Sequence, residues 1–295
     1  MTQEFPTRIS LPRLLLYLLA AAVLVTLCVG AVVLANSALL GSQSPPVEGE
    51  PVPIRVWFAY VAIALAVLVA YRLQARFVER RSQPELAAAR MGELLAGAAG
   101  GIGLTMLVVA ILWFAGAYHG TWRGLGDLSA PTLMAIGAAL MEELLARGFL
   151  LGLVERWAGS LAALVLTALL FGAAHFDNSG AGLWPVAALA IGPGLALGAA
   201  YLATGRLWLP IGLHFGWNFG QSGLFGLLDS GTSFPSVIDA SIDGPYWLTG
   251  GAFGPEASLP GLAVWVLLGV FLLNRARRQG RLVPFRSSII LVPSC

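Results

Sequence analysis

Three short constellations in this chain combine residue types that can do acid–base chemistry with surroundings that should exclude them. The first is Met141-Glu142-Glu143-Leu144-Leu145-Ala146-Arg147-Gly148, set inside an apolar run. The second is Phe171-Gly172-Ala173-Ala174-His175, and the third is Leu213-His214-Phe215-Gly216-Trp217-Asn218. An Asp, Lys or Arg at the centre of a membrane helix costs ~2.5–3.5 kcal/mol on insertion scales, so three ionisable residues near the middle of one apolar helix need partners. Glu143 and Arg147 are four apart, share a helix face and can pair, with the carboxylate on the favourable N-terminal side. Glu142 lies about 100° around the helix from Glu143 and is left free of that pair. His214 and Asn218 project from one face, and Phe171 lies one turn from His175, where its ring can wall the imidazole.

A carboxylate and a histidine sharing a dry cavity can activate a water molecule, the carboxylate accepting its proton. A second histidine with an asparagine can donate hydrogen bonds to the oxyanion of a tetrahedral intermediate. These parts suffice for amide hydrolysis without a covalent enzyme intermediate. Glu142 and the two histidines could instead hold a zinc ion with an open position, and residue types alone do not separate the two routes. Two other readings use the same residues. One is a purely structural ion cluster between helices, with His175 at the water interface. The other is a proton relay through Glu142, His175 and His214 in a transporter.

Whatever the chemistry, membrane helices must position it. The chain has 295 residues, of which 58% are hydrophobic and 11% charged, against about 25% charged in an ordinary soluble domain. The expected fold is all-α, a polytopic transmembrane bundle of about eight spans. A span needs about 20 apolar residues, and the qualifying segments are 14–35, 54–71, 92–117, 131–153, 160–175, 182–203, 207–228 and 259–274. Arginines crowd two regions: Arg72, Arg76, Arg80, Arg81 and Arg90, then Arg275, Arg277, Arg278, Arg281 and Arg286. The segment 229–258 carries Asp229, Asp239, Asp243 and Glu256 with no basic residue, and Glu48 and Glu50 lie in another loop without arginine. By the positive-inside rule both termini face the cytoplasm, which requires an even number of spans. The net charge of +2 gives no reason to expect nucleic acid.

The chain divides into an N-terminal hairpin and cytoplasmic loop (1–90), a core (91–228), an external loop and candidate lid (229–258), and a last span with its tail (259–295). Glycines recur every four residues at Gly97 and Gly101, at Gly194 and Gly198, and at Gly212, Gly216 and Gly220, a spacing that lets helix backbones approach closely. On the seventh segment this ridge lies opposite His214 and Asn218. At 1.5 Å per residue, Glu142 sits about 17 Å in from one end of its span and His214 roughly 11 Å in from the other. Those depths nearly meet. His119 is expected at the surface, Arg206 as an interfacial anchor and Glu93 as a snorkelling residue. Asp177 and Asn178 follow His175 closely enough to orient its ring. Cys28 and Cys295 offer neither a metal spacing nor a disulfide framework.

The ordered series Glu142-Glu143-x-x-x-Arg147, Phe171-x-x-x-His175 and His214-x-x-x-Asn218 resembles the CAAX protease and bacteriocin-processing family. This is the type II CAAX prenyl endopeptidase group, also called the Abi group of intramembrane metalloproteases. The likeness runs over residues 130–222 and includes Leu195-Ala196-Leu197-Gly198 and Arg206-Leu207-Trp208-Leu209-Pro210. It implies an intramembrane endopeptidase with Glu142 as water-activating base, assisted by His175. His214 and Asn218 would bind the oxyanion, while Glu143, Arg147 and Phe171 support the site. The implied substrate is a membrane-associated protein or peptide, the surroundings are membrane lipid, and the expected location is a bacterial plasma membrane. The family carries both a zinc and a metal-free glutamate description, and the metal-free one is the reading taken here. A non-catalytic scaffold or immunity-type member is the alternative within the family.

Overall fold

The computed structural model describes residues 8–40 and 53–285. Glu48, Glu50, Arg286 and Cys295 lie outside the described residues. Within them the fold is mostly helical, as expected. Five helical runs are long and apolar enough to cross a membrane: Leu11–Ala38, Ile54–Val78, Ala88–Phe114, Leu183–Thr204 and Leu259–Arg278. Their outer faces are apolar, with Leu19 64% and Phe271 62% exposed, which suits lipid and not water. The expected count of eight depends on three further helical runs outside that set. Ser160–Ala173 is apolar but shorter. The other two are broken by wide π turns and carry the ionisable or polar site residues. One joins α4 (Ser129–Glu143) to α5 (Gly152–Ala158) through a π segment at Leu144–Leu151. The other is α9 (Trp208–Phe219), which runs on into a π turn at Gly220–Leu224.

The remaining helices are α1 (Leu11–Leu40), α2 (Ile54–Leu73), α3 (Gly92–Phe114), α6 (Ser160–Ala173), α7 (Leu183–Leu189), α8 (Leu195–Thr204), α10 (Tyr246–Thr249) and α11 (Leu259–Arg278). Their ends gather on two sides. On one side Ile9 N–H donates to Arg156 O and Ser160 N–H to Val283 O, and Arg156 pairs with Glu79. Arg206 and Glu93, expected to act separately as an anchor and a snorkelling residue, form a two-point ion pair there. On the other side Trp57 stacks obliquely on Phe234 at 5.2 Å. A short ribbon also forms there, β1 (Tyr118–Trp122) antiparallel to β2 (Ile238–Ile242), with Tyr118 opposite Ile242. His119 is an exposed residue of β1.

That ribbon qualifies the all-α expectation and changes the picture of residues 229–258. The segment is a folded cap, containing β2, α10 and two tight 3-10 turns at Gly251–Phe253 and Pro255–Ala257. Phe253 and Ala257 are fully buried. The cap leads directly into α11, whose first turn is capped by Ser258 accepting from Gly261 N–H at 3.0 Å, the usual role of a serine at that position.

The glycine ridge of α9 packs on α3, backbone against backbone. A Cβ built on Gly216 would stand 2.1 Å from Ala98 O, and one on Gly101 would stand 2.3 Å from Leu213 O. Gly220 meets the Thr105 side chain, whose hydroxyl donates to Trp217 O at 3.2 Å. Because that face of α9 is consumed by α3, His214 and Asn218 are turned to the opposite side, toward α4 and α6. We therefore expect Gly216→Val to force α3 and α9 apart and cost about 1–3 kcal/mol or more through overpacking. Gly103→Ala, where a Cβ meets nothing within 4 Å, should leave stability unchanged. Thermal unfolding of both variants in detergent checks the contrast.

Candidate active site

Glu143 and Arg147 set the geometry. Both are essentially inaccessible to solvent, and Arg147 Nη1 donates to Glu143 Oε1 at 2.8 Å. The other side of the guanidinium is held by backbone. Arg147 Nη2 donates to Gly194 O at 2.9 Å and more weakly to Pro193 O at 3.4 Å. These carbonyls lie in a π segment, Ala190–Gly194, that carries Pro193 within it. Proline has no N–H to give the helix ladder, and helices distort there. Such π segments recur at functional sites. The guanidinium also lies over the Phe171 ring at 4.7 Å. One arginine thereby ties α4, α6 and the α7–α8 junction together.

Glu143 has a second task that spacing alone did not disclose. Its Oε1 accepts from His214 Nδ1 at 2.9 Å. The carboxylate can only accept, so Nδ1 carries the proton and His214 Nε2 faces the cavity. His175 is oriented the same way by a different group. Its Nδ1 donates to Phe171 O at 2.8 Å, so Asp177 and Asn178 are not what hold this ring. The residue sits in the turn just beyond α6, and the Phe171 ring lies 4.9 Å from His175 and 6.0 Å from His214.

Glu142 sits between the two imidazoles. Its Oε2 is 3.7 Å from His175 Nε2 and 3.9 Å from His214 Nε2. Both separations are too long for direct hydrogen bonds, and Glu142 Oε2 is buried without a hydrogen-bond partner. Glu142, His175, His214 and Asn218 all border one cavity of about 530 Å³. Its walls are otherwise largely apolar, with Leu145, Leu150, Phe171 and Trp217 among them. Tyr60 reaches this cavity from α2, in the hairpin that the sequence motifs do not touch.

Two cap residues also reach it, and sequence reasoning had counted them only as loop charges. Asp229 and Glu256 are each 5% exposed and line the cavity. Asp229-Ser230-Gly231-Thr232 is a tight two-residue turn: Asp229 and Thr232 bond reciprocally at 2.9 Å, with φ of 46° at Ser230 and 85° at Gly231. Positive φ at both central positions is the type I′ pattern, and it is unusual at a serine. Glu256 holds the turn: its Oε2 accepts from Ser230 N–H at 3.0 Å and from the Ser230 hydroxyl at 2.7 Å. Burial, and then the nearby Glu256 and Glu142 carboxylates, push the Asp229 carboxyl well above the usual carboxylate range. An Asp-Ser-Gly-Thr turn is legible in sequence; its docking beside His175 is not.

No group of three or more His, Cys, Asp or Glu side chains among the described residues is arranged to hold a metal ion.

The Glu143–Arg147 pair yields a stability prediction. Removing one partner of a buried ion pair typically costs about 3–5 kcal/mol, because the other charge is stranded, whereas replacing both is far milder. We expect Arg147→Ala to lower the unfolding temperature strongly and Arg147→Met with Glu143→Gln to lower it less. Unfolding monitored by tryptophan fluorescence in detergent decides the order.

Comparison with known proteins gives one match. Residues 124–220 match the family described as type II CAAX prenyl endopeptidase Rce1-like. No curated protein and no solved structure matches the chain. The matched span contains Glu142, Glu143, Arg147, Phe171, His175, His214 and Asn218, and ends short of Asp229 and Glu256. The matched domain, about a third of the chain, holds all the converging motif residues, and over it the chain is similar to the Rce1-like type II CAAX prenyl endopeptidase family.

Proposed function

We propose that this integral membrane protein is an endopeptidase that cuts a membrane-associated polypeptide with a water activated by Glu142 and His175. The observation that carries the reading is the convergence of two imidazole nitrogens, His175 Nε2 and His214 Nε2, within 4 Å of Glu142 Oε2. A water between them donates one hydrogen bond to Glu142 and one to His175 Nε2 and accepts one from His214 in its imidazolium form, which leaves an oxygen lone pair directed into the cavity.

Attack of that oxygen on a peptide carbonyl transfers one proton to Glu142 and leaves a tetrahedral oxyanion. Asn218 supplies an amide donor to it. His214 supplies a second donor in its imidazolium form, with Glu143 holding Nδ1 and two carboxylates beside the ring to offset its charge. Collapse of the intermediate breaks the C–N bond, and Glu142 returns its proton to the departing amine. Donors fixed in a dry site act without reorganisation as charge develops. The lining of Leu145, Leu150 and Phe171 supplies the dryness.

The arginine-rich ends, taken as cytoplasmic, put the cap over the cavity on the outer side of the membrane. Both termini would then lie inside. The family likeness alone suits a CAAX-type cleavage near a lipid anchor; the reading here needs only a polypeptide held at the membrane.

The test is cleavage of a panel of membrane-anchored fluorogenic peptides by the protein in lipid nanodiscs. Glu142→Gln keeps the shape of the side chain and removes its basicity, and should lower kcat by about 10²–10⁴-fold without lowering the unfolding temperature. Undiminished cleavage by Glu142→Gln would remove Glu142 from the reaction. A strong zinc chelator should leave the wild-type rate unchanged; inhibition reversed by added zinc would replace the free-carboxylate reading.

A further inference from the structure

The cavity holds more acid than hydrolysis requires. Glu142, Asp229 and Glu256 all line it, and no arginine does. Arg147, the nearest cation in the motifs, is turned away and committed to Glu143 and to the Pro193 and Gly194 carbonyls. Glu256 is satisfied: Oε1 accepts from Trp217 Nε1 at 3.2 Å, and Oε2 from Ser230. Asp229 is not. It is 5% exposed, and its Oδ2 is buried with no hydrogen-bond partner. A carboxylate placed so is costly unless something compensates it. The turn that places it is not slack, since a Cβ on Gly231 would stand 1.9 Å from Ser179 O, four residues beyond His175.

We propose that Asp229, steadied beside Glu256, is a specificity-determining residue that receives a basic side chain of the substrate next to the bond to be cut. This rests on the peptidase reading for the ligand being a polypeptide. The acidic side chains form no metal-binding group among the described residues, which favours an organic cation. The cavity suits one. Its apolar walls can cover the methylene stem of a Lys or Arg whose charged head goes to a polar end. Trp57 and Phe234, in contact at 5.2 Å and both on the lining, offer ring faces to a cation. Burial pushes the Asp229 carboxyl upward, and an arriving ammonium or guanidinium would supply the compensating charge that its unpartnered Oδ2 lacks. A free carboxylate entering the same place would meet only like charge.

The experiment uses the full chain in nanodiscs and pairs of anchored peptides that differ only in Lys against norleucine, walked along the sequence. Both kcat/KM for cleavage and Kd by fluorescence anisotropy are read. For wild type, one register should favour Lys by about tenfold or more in Kd, the size of a charge-assisted hydrogen bond, and likewise in kcat/KM where the peptide is cut. In Asp229→Asn that ratio should fall to near one, and Asp229→Glu should retain most of it. Each ratio is taken within a single variant, so a partial loss of folded protein cancels. Equal Kd for the two peptides on wild type, or an undiminished ratio in Asp229→Asn, overturns the proposal. An Asp229-dependent binding preference without cleavage keeps the subsite and removes the peptidase reading. Cleavage with no charge preference does the reverse.

Discussion

The buried contact between Arg147 and Glu143 is the constraint from which the rest of the site follows. A lone carboxylate or guanidinium at that depth would cost several kcal/mol even after relaxation. The pair is held at several points: Glu143 Oε1 receives both Arg147 and His214, and Arg147 Nη2 also reaches two backbone carbonyls, while Glu143 Oε2 and Arg147 Nε are buried without a hydrogen-bond partner. Those partners come from three separate stretches of chain, and the Phe171 ring beside the guanidinium adds α6 as a fourth. The same set of bonds therefore fixes the relative positions of α4, α6, the α7–α8 junction and α9. Stability and the geometry of the cavity are here one arrangement.

Helix α9 shows how this arrangement is reached in a membrane, where lipid offers no hydrophobic drive for helices to associate. Its glycines let α3 approach to backbone contact, and dispersion and Cα–H contacts replace side-chain packing. The cost is a face with no chemistry on it. The gain is rotational certainty: with Gly212 and Gly216 against Leu94 and Ala98, His214 and Asn218 can point only at the cavity. The π turns at Leu144–Leu151, Ala190–Gly194 and Gly220–Leu224 sit beside site residues on three helices. Each shifts the helix phase locally, and one exposes the carbonyls that Arg147 uses.

What could be read from sequence followed from periodicity and from charge in the wrong solvent. The i,i+4 pairs Glu143–Arg147, Phe171–His175 and His214–Asn218 are local, so their faces could be assigned without a fold. The glycine ridge opposite His214 was legible for the same reason. What escaped was non-local. That His214 Nδ1 would find Glu143 depends on how α4 and α9 cross. Asp229 and Glu256 read as loop charge because a solvated loop and a folded cap have the same composition. Arg206 and Glu93 looked like separate interfacial residues because 113 positions lie between them.

The cap closes the remaining side of the problem. Hydrolysis needs one water retained and bulk water kept out, because the same donors are worth far more at low dielectric. A flexible lid would order itself anew with each substrate and lose binding energy in doing so. This cap is already ordered: β2 is paired to β1, Phe253 is buried, and Glu256 grips the Ser230 turn from the foot of α11. Trp217, one residue before Asn218, donates its indole N–H to the same Glu256. The helix that presents His214 and Asn218 and the cap that carries Asp229 are thus joined through a single carboxylate. A substrate charge settling at Asp229 would be registered directly against the donors around its scissile bond.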